Sequence, residues 1–136
     1  MALTRTATKL THEAAIALIR AAADHATAMG QPQCIAVVDE GCNLLSFIRM
    51  DGARVLSIES ARRKAETAAS TGRATGGMGP ELEIKLAIAT EGRMTNLKGG
   101  VPIIIDGAVV GGIGVGSGTG DQDREVAEAA IKAVFG

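Results

Sequence analysis

Apolar and polar positions along the chain follow two periods. Between Thr11 and Gly30, Ile16, Ile19, Ala22, Ala23 and Ala26 recur at helical spacing. Thr11 carries the hydroxyl of a helix N-cap, with His12 and Glu13 in the first turn, and Gly30 is a helix stop. The period then shortens. Cys34–Asp39 is a short apolar run rich in β-branched residues, Glu40-Gly41 turns the chain, and Asn43–Arg49 returns it. Met50–Ala53 is a further turn. A second helix is predicted from about Val55 to Thr71, with Ile58, Ala61, Ala65 and Ala68 on its inner face. Alanines at those positions imply a close approach to whatever they pack on. Its outer face sets Glu59 with Arg63 and Arg62 with Glu66 at i,i+4, pairs worth about 0.2–0.5 kcal/mol each.

Gly72–Gly79 reads as a flexible loop, and Pro80 opens a short helix through about Ala89. Val101–Ile105 and Ala108–Gly116 form a second hairpin around Asp106-Gly107, a type I′ turn signal. The glycines at 111, 112, 114 and 116 strip most side chains from one face of its second strand. Such a face admits another backbone, a helix or a ligand. Ser117–Gly120 leads into a last helix, capped by Asp121 or Asp123, whose apolar stripe is Val126, Ala127, Ala130, Ile131 and Val134. Helices follow hairpins with no dominant strand-helix-strand alternation. The expected class is α+β: an antiparallel sheet with helices packed on it.

Composition narrows this picture. At 136 residues, the chain is expected to form a single domain over residues 1–136. Only Phe47 and Phe135 are aromatic, so the core must come from Ala, Val, Ile, Leu and Met. A net charge of −1 and the shortage of aromatics argue against nucleic acid as a partner. No apolar run is long enough to span a membrane, and the start lacks the continuous apolar stretch of a signal peptide. A cytoplasmic location is therefore expected. In the hairpin Cys34 and Cys42 would stand roughly 15 Å apart, beyond the ~7 Å reach of a disulfide. They are expected as free structural thiols, with a role for either as a metal or haem ligand as the alternative.

Several blocks resemble the GlcG/HbpS-like family. They are Val37–Gly41, Phe47–Ala53, Lys64–Ala68, Gly99–Ile103, Asp106–Val115 and Gly120–Ala127, which occur in the family's order and span nearly the whole chain. The resemblance implies a profilin-like fold with a five-stranded antiparallel sheet, and homo-oligomers built from dimers. It also implies haem as a ligand, since some members bind it. In one member a Thr near the start of the third helix contacts the iron, and Thr75 is the nearest match. In another a first-helix His is axial ligand; His12 and His25 are the residues of that type here. Fold constrains function only loosely.

Lys64 shares a helical stripe with Ser60, Thr67 and Thr71 at the border of the alanine face. A lysine held there becomes a base or an anion-binding group if buried, or snorkels to solvent if not. Arg49 could clamp a carboxylate through its planar fork, or pair with Asp51 to fix a turn. The Gly116–Gly120 loop precedes a helix N-terminus that could hold an anion, but it lacks the Gly-Lys-Ser/Thr of a P-loop. No His, Cys and carboxylate set has zinc spacing, so no metal site is expected.

The leading expectation is a small-molecule-binding oligomer. Its pocket would lie between the Gly72–Gly79 loop, the Lys64 stripe and the glycine-rich strand. The candidate contacts are Thr67, Thr71, Thr75, Gly99, Gly100, Gly116 and Ser117. The alternative is a lyase, isomerase or hydrolase for a small carboxylate-bearing metabolite. There Lys64 or Asp39 would move the proton and Arg49 would hold the carboxylate. An accessory subunit without a ligand is a third possibility.

Overall fold

The computed structural model describes residues 1–136. The elements are α1 (His12–Met29), β1 (Cys34–Asp39), β2 (Leu44–Arg49), α2 (Ser57–Thr71), α3 (Pro80–Ala89), β3 (Gly100–Ile105), β4 (Ala108–Gly116) and α4 (Gly120–Phe135). The Thr11 side chain caps α1 by accepting from the Ala14 N–H, and Gly30 ends it in the left-handed region. Asp106 and Gly107 both have positive φ, as a type I′ turn requires.

The strands form one antiparallel sheet in the order β2-β1-β4-β3. It has four strands, not the five that the family resemblance implies, and the hydrophobic pattern by itself accounts for all four. No helix is long and apolar enough to cross a membrane.

Helices cover both faces. On one face α1 and α4 pack side by side over Ile35, Val37, Ile103, Ile113 and Val115, with Leu18 and Val126 as their large buried contributions. On the other face α2 lies alone across β1, β4 and β3. There the glycine-stripped surface of β4 meets the helix. A Cβ on Gly114 would stand 2.0 Å from the Ala61 carbonyl oxygen, and one on Gly112 2.4 Å from that of Ala65. Helix and strand backbones touch. Of the alternatives left open by the sequence, the occupant of this face is the protein's own helix.

Two local expectations need correction. The cap of α4 is Thr119, in a reciprocal capping box with Gln122, rather than Asp121 or Asp123. Asp123 lies inside the helix and is buried. The expected Arg62–Glu66 pair does not form either. Glu66 is buried and is held by Arg63 at 3.3 Å and Arg93 at 3.1 Å, whereas Arg62 meets Glu59 at 3.6 Å.

Candidate functional site

The close seat of α2 buries polar side chains along its length. Lys64 is 4% exposed. Its Nζ donates to the Val115 carbonyl at 2.8 Å and to Asp123 Oδ2 at 2.9 Å. The other Asp123 oxygen accepts the Gly118 N–H at 2.9 Å. This pair joins α2, β4 and the first turn of α4. A buried pair with good hydrogen bonds is costly to break from one side. Lys64 therefore does not snorkel to solvent; its Nζ is held inside the fold.

Further along α2, Glu66 and Thr67 pin the segment that follows α3. Thr67 Oγ1 accepts the Thr95 N–H at 3.0 Å and donates to the Arg63 carbonyl at 2.8 Å. The Glu66–Arg93 ion pair fixes the same segment. Met94 is thus held over the C-terminal half of α2. On the other side, Thr75 ties the glycine-rich loop to β3. Its N–H donates to the Gly100 carbonyl at 2.9 Å, and its Oγ1 accepts the Gly100 N–H at 2.8 Å. Asn96 holds the loop's far end by accepting the Met78 N–H at 2.8 Å.

These anchors enclose a cleft of about 320 Å³ between the end of α2, the 72–79 loop and α3. Thr67, Thr71 and Thr75 line one side, and Met78, Leu82, Leu86 and Met94 supply its apolar wall, with Arg73 also lining it. Thr71 Oγ1 donates to the Thr67 carbonyl at 2.8 Å and accepts the Arg73 N–H at 3.2 Å. The volume is at the small end of the range for ligand pockets, roughly 300–1,000 Å³.

Among the residues singled out in the sequence, the three threonines meet in this cleft. Gly99 and Gly100 do not line it. They let the start of β3 pass beneath α2, where a Cβ on Gly100 would meet the Lys64 carbonyl oxygen at 2.3 Å. Gly116 faces Ser57 and Ser60 of α2. Lys64 and Ser117 line a different cavity near the N-terminus of α4.

The groups of the enzymatic alternative do not converge. The Asp39 carboxylate closes its own turn, accepting from the Gly41 and Asn43 N–H groups at 2.9 Å each. Burial pushes its pKa up, but the Asn43 and Gly41 hydrogen bonds outweigh that and hold it below the usual carboxylate value. Arg49 is exposed and pairs in register with Cys34, at the opposite end of β1 from Asp39. That is five residues along the strand, or about 17 Å. Arg49 also forms no ion pair with Asp51; both line a shallow cavity with Pro32 and Thr27. This arrangement does not favour the enzymatic alternative.

The histidines lie on α1, across the sheet from α2. His25 Nε2 is 2.8 Å from Glu125, and His12 is exposed at the helix start. Both cysteines are free, and burial pushes both thiols up. No group of three or more His, Cys, Asp or Glu side chains could hold a metal ion.

Sequence reasoning did not single out Asp123 as the partner of Lys64, nor Met78, Leu82, Leu86 and Met94 as cleft residues. The methionines flank α3 on segments without strong periodicity, so only their company in space marks them.

Residues 10–132 match the model of the family described as haem degrading protein HbpS-like. The chain belongs to the HbpS-like family. It is 36% identical over 107 residues to protein GlcG of Escherichia coli K12, covering 78% of this chain and 80% of GlcG. The structure of a double mutant of Streptomyces reticuli HbpS superposes with a TM-score of 0.86 at 38% identity, covering 98% of this chain and 91% of that one. A PduOC–haem complex superposes with a TM-score of 0.86 at 28% identity, covering 94% and 96% of the two chains.

Proposed function

We propose that this HbpS-like chain is a haem-binding protein that works as a homo-oligomer, with haem seated in the cleft between α2, the 72–79 loop and α3. The observation that carries the reading is the composition of that cleft. Met78, Leu82, Leu86 and Met94 offer apolar contact to a porphyrin face. Arg73 offers a fork to a propionate. The residues present fit the group. Two thioethers are the soft donors in the lining, and methionine is a known axial ligand of haem iron. Thr75 is the hydroxyl that the family resemblance brings forward. Haem bound there would supply an iron centre for ligand or electron exchange. The haem complex of the PduOC relative supports the reading.

The exposed side of α3 supports the oligomer. This helix buries no residue, and Leu82, Ile84 and Ile88 are 48%, 67% and 74% exposed. An apolar helix left bare beside a small cleft is the kind of surface a second copy covers. A partner there would also complete the enclosure of a ligand larger than the single-chain cleft. Two free thiols fit the reducing cytoplasm.

The test is a titration of the purified protein with hemin, read at the Soret band, with sedimentation before and after. A saturable band shift at stoichiometric hemin is expected, and the Met78→Ala, Met94→Ala double variant should weaken it. An unshifted spectrum at stoichiometric hemin removes haem as the ligand.

A further inference from the structure

A second cavity, of about 240 Å³, opens where α2, the 117–120 loop and the N-terminus of α4 meet. Its chemistry differs from that of the first. Of its ten lining residues only Leu97 is hydrophobic. Arg54, Lys64 and Lys98 bring three cations, against the single carboxylate of Asp123. Ser57, Ser60 and Ser117 add hydroxyls.

Several of these donors are not consumed by the protein. The Lys64 ammonium has three N–H donors, and the chain accepts two of them, through Val115 and Asp123. Lys64 is nine-tenths buried, so its third donor has only this cavity to serve. Ser57 is mostly buried; its carbonyl accepts from Ser60 at 3.4 Å, and its own hydroxyl is not engaged by another side chain. Ser117 is different: its Oγ accepts the Arg54 N–H at 3.0 Å and its hydroxyl is shared with the Cys34 thiol, so it holds the cavity wall in place. The Gly118 N–H, by contrast, is fully used by Gln33 and Asp123. Arg54 is exposed and forms no ion pair. The positive end of α4 adds to the same field.

We propose that this cavity is a binding site for a small oxyanion, the phosphate or carboxylate group of a metabolite. Arg54 and Lys98 supply the net charge, and the third Lys64 N–H and the Ser57 hydroxyl supply directional hydrogen bonds. The Asp123 charge is offset by its ion pair with Lys64, so the net positive charge of the cavity rests on Arg54 and Lys98. Asp121 does compete. It pairs with Lys98 at the rim and must release that lysine when the anion enters. The inference is independent of the haem reading.

Calorimetric titration with inorganic phosphate and, separately, with oxalate tests it on haem-free protein. One of the two is expected to bind at one site per chain, and the tighter one identifies the group recognised. Arg54→Ala and Ser57→Ala, which leave the Lys64–Asp123 pair intact, should each weaken binding by about tenfold, the equivalent of one charge-assisted hydrogen bond. Asp121→Asn should tighten it several-fold by freeing Lys98. The proposal is overturned if neither anion binds, or if Arg54→Ala and Ser57→Ala bind as the parent does while circular dichroism shows them folded.

Discussion

The two faces of the sheet are held by different means. Under α1 and α4 the contact is made of volume: Leu18, Ile35, Val37, Ile103, Ile113, Val115 and Val126 interdigitate. Under α2 it is made of proximity. Alanines 61, 65 and 69 lie on strand glycines, and no fully buried side chain there is larger than Val38, with Phe47 and Ile58 only at the margin. Volume tolerates a lost methylene at a graded cost, whereas backbone proximity has no slack for an added one. Proximity also buries whatever polar groups flank the contact, which is why Lys64, Glu66 and Thr67 are covered on one helix. Each then needs a partner from elsewhere in the chain, and these partners shape both cavities.

The contrast can be broken most severely at Gly114. Gly114→Val would drive its branches into the Ala61 carbonyl, with α2 unable to yield without leaving the sheet. We expect a loss at or above the upper end of overpacking, about 3 kcal/mol, or no folded protein, read by urea denaturation. Next comes the buried pair. Lys64→Ala or Asp123→Ala should each cost about 3–5 kcal/mol by stranding a charge, while Lys64→Met with Asp123→Leu should recover much of it. On the opposite face, Leu18→Ala should cost about 2–5 kcal/mol with cooperative unfolding retained, as a cavity in a volume-filled core does. Thr119→Ala removes one half of a capping box and should cost about 1 kcal/mol.

The smallest effect is the pH dependence at Asp39. Its pKa is lowered on folding, so its contribution is complete above the ordinary carboxylate value and is lost as pH falls through the folded value. Between neutral pH and about pH 3, the parent should lose slightly more stability than Asp39→Asn. Equal losses in urea midpoint would show that the turn hydrogen bonds carry no linkage.

What could be read in advance divides along the same line. Elements fixed by near neighbours were legible: the Thr11 cap, the Gly30 stop, the Asp106-Gly107 turn and the alanine face of α2 all act within a few residues. The glycines of β4 announced a close approach, but not whether helix or ligand would make it, because that depends on α2 lying 50 residues earlier. Asp123 looks like a cap by local rules and becomes an ion-pair partner only when Lys64 arrives across the fold. Likewise Glu66 gives up its expected Arg62 partner for Arg63 and for Arg93 from the segment after α3. The threonines of the cleft were legible as a stripe. Its methionines were not, because loops carry no period.

The two faces also divide the donors that haem iron could take. The cleft offers thioethers and hydroxyls on the α2 side, and the histidines stand on the α1 side. The most direct test is to map the site by two-dimensional amide NMR during titration with zinc protoporphyrin, a diamagnetic stand-in for haem. The account predicts shifts concentrated at Thr67–Leu86 and Met94, with His12 and His25 unmoved. Shifts centred on α1, with the 72–79 loop unchanged, would contradict it.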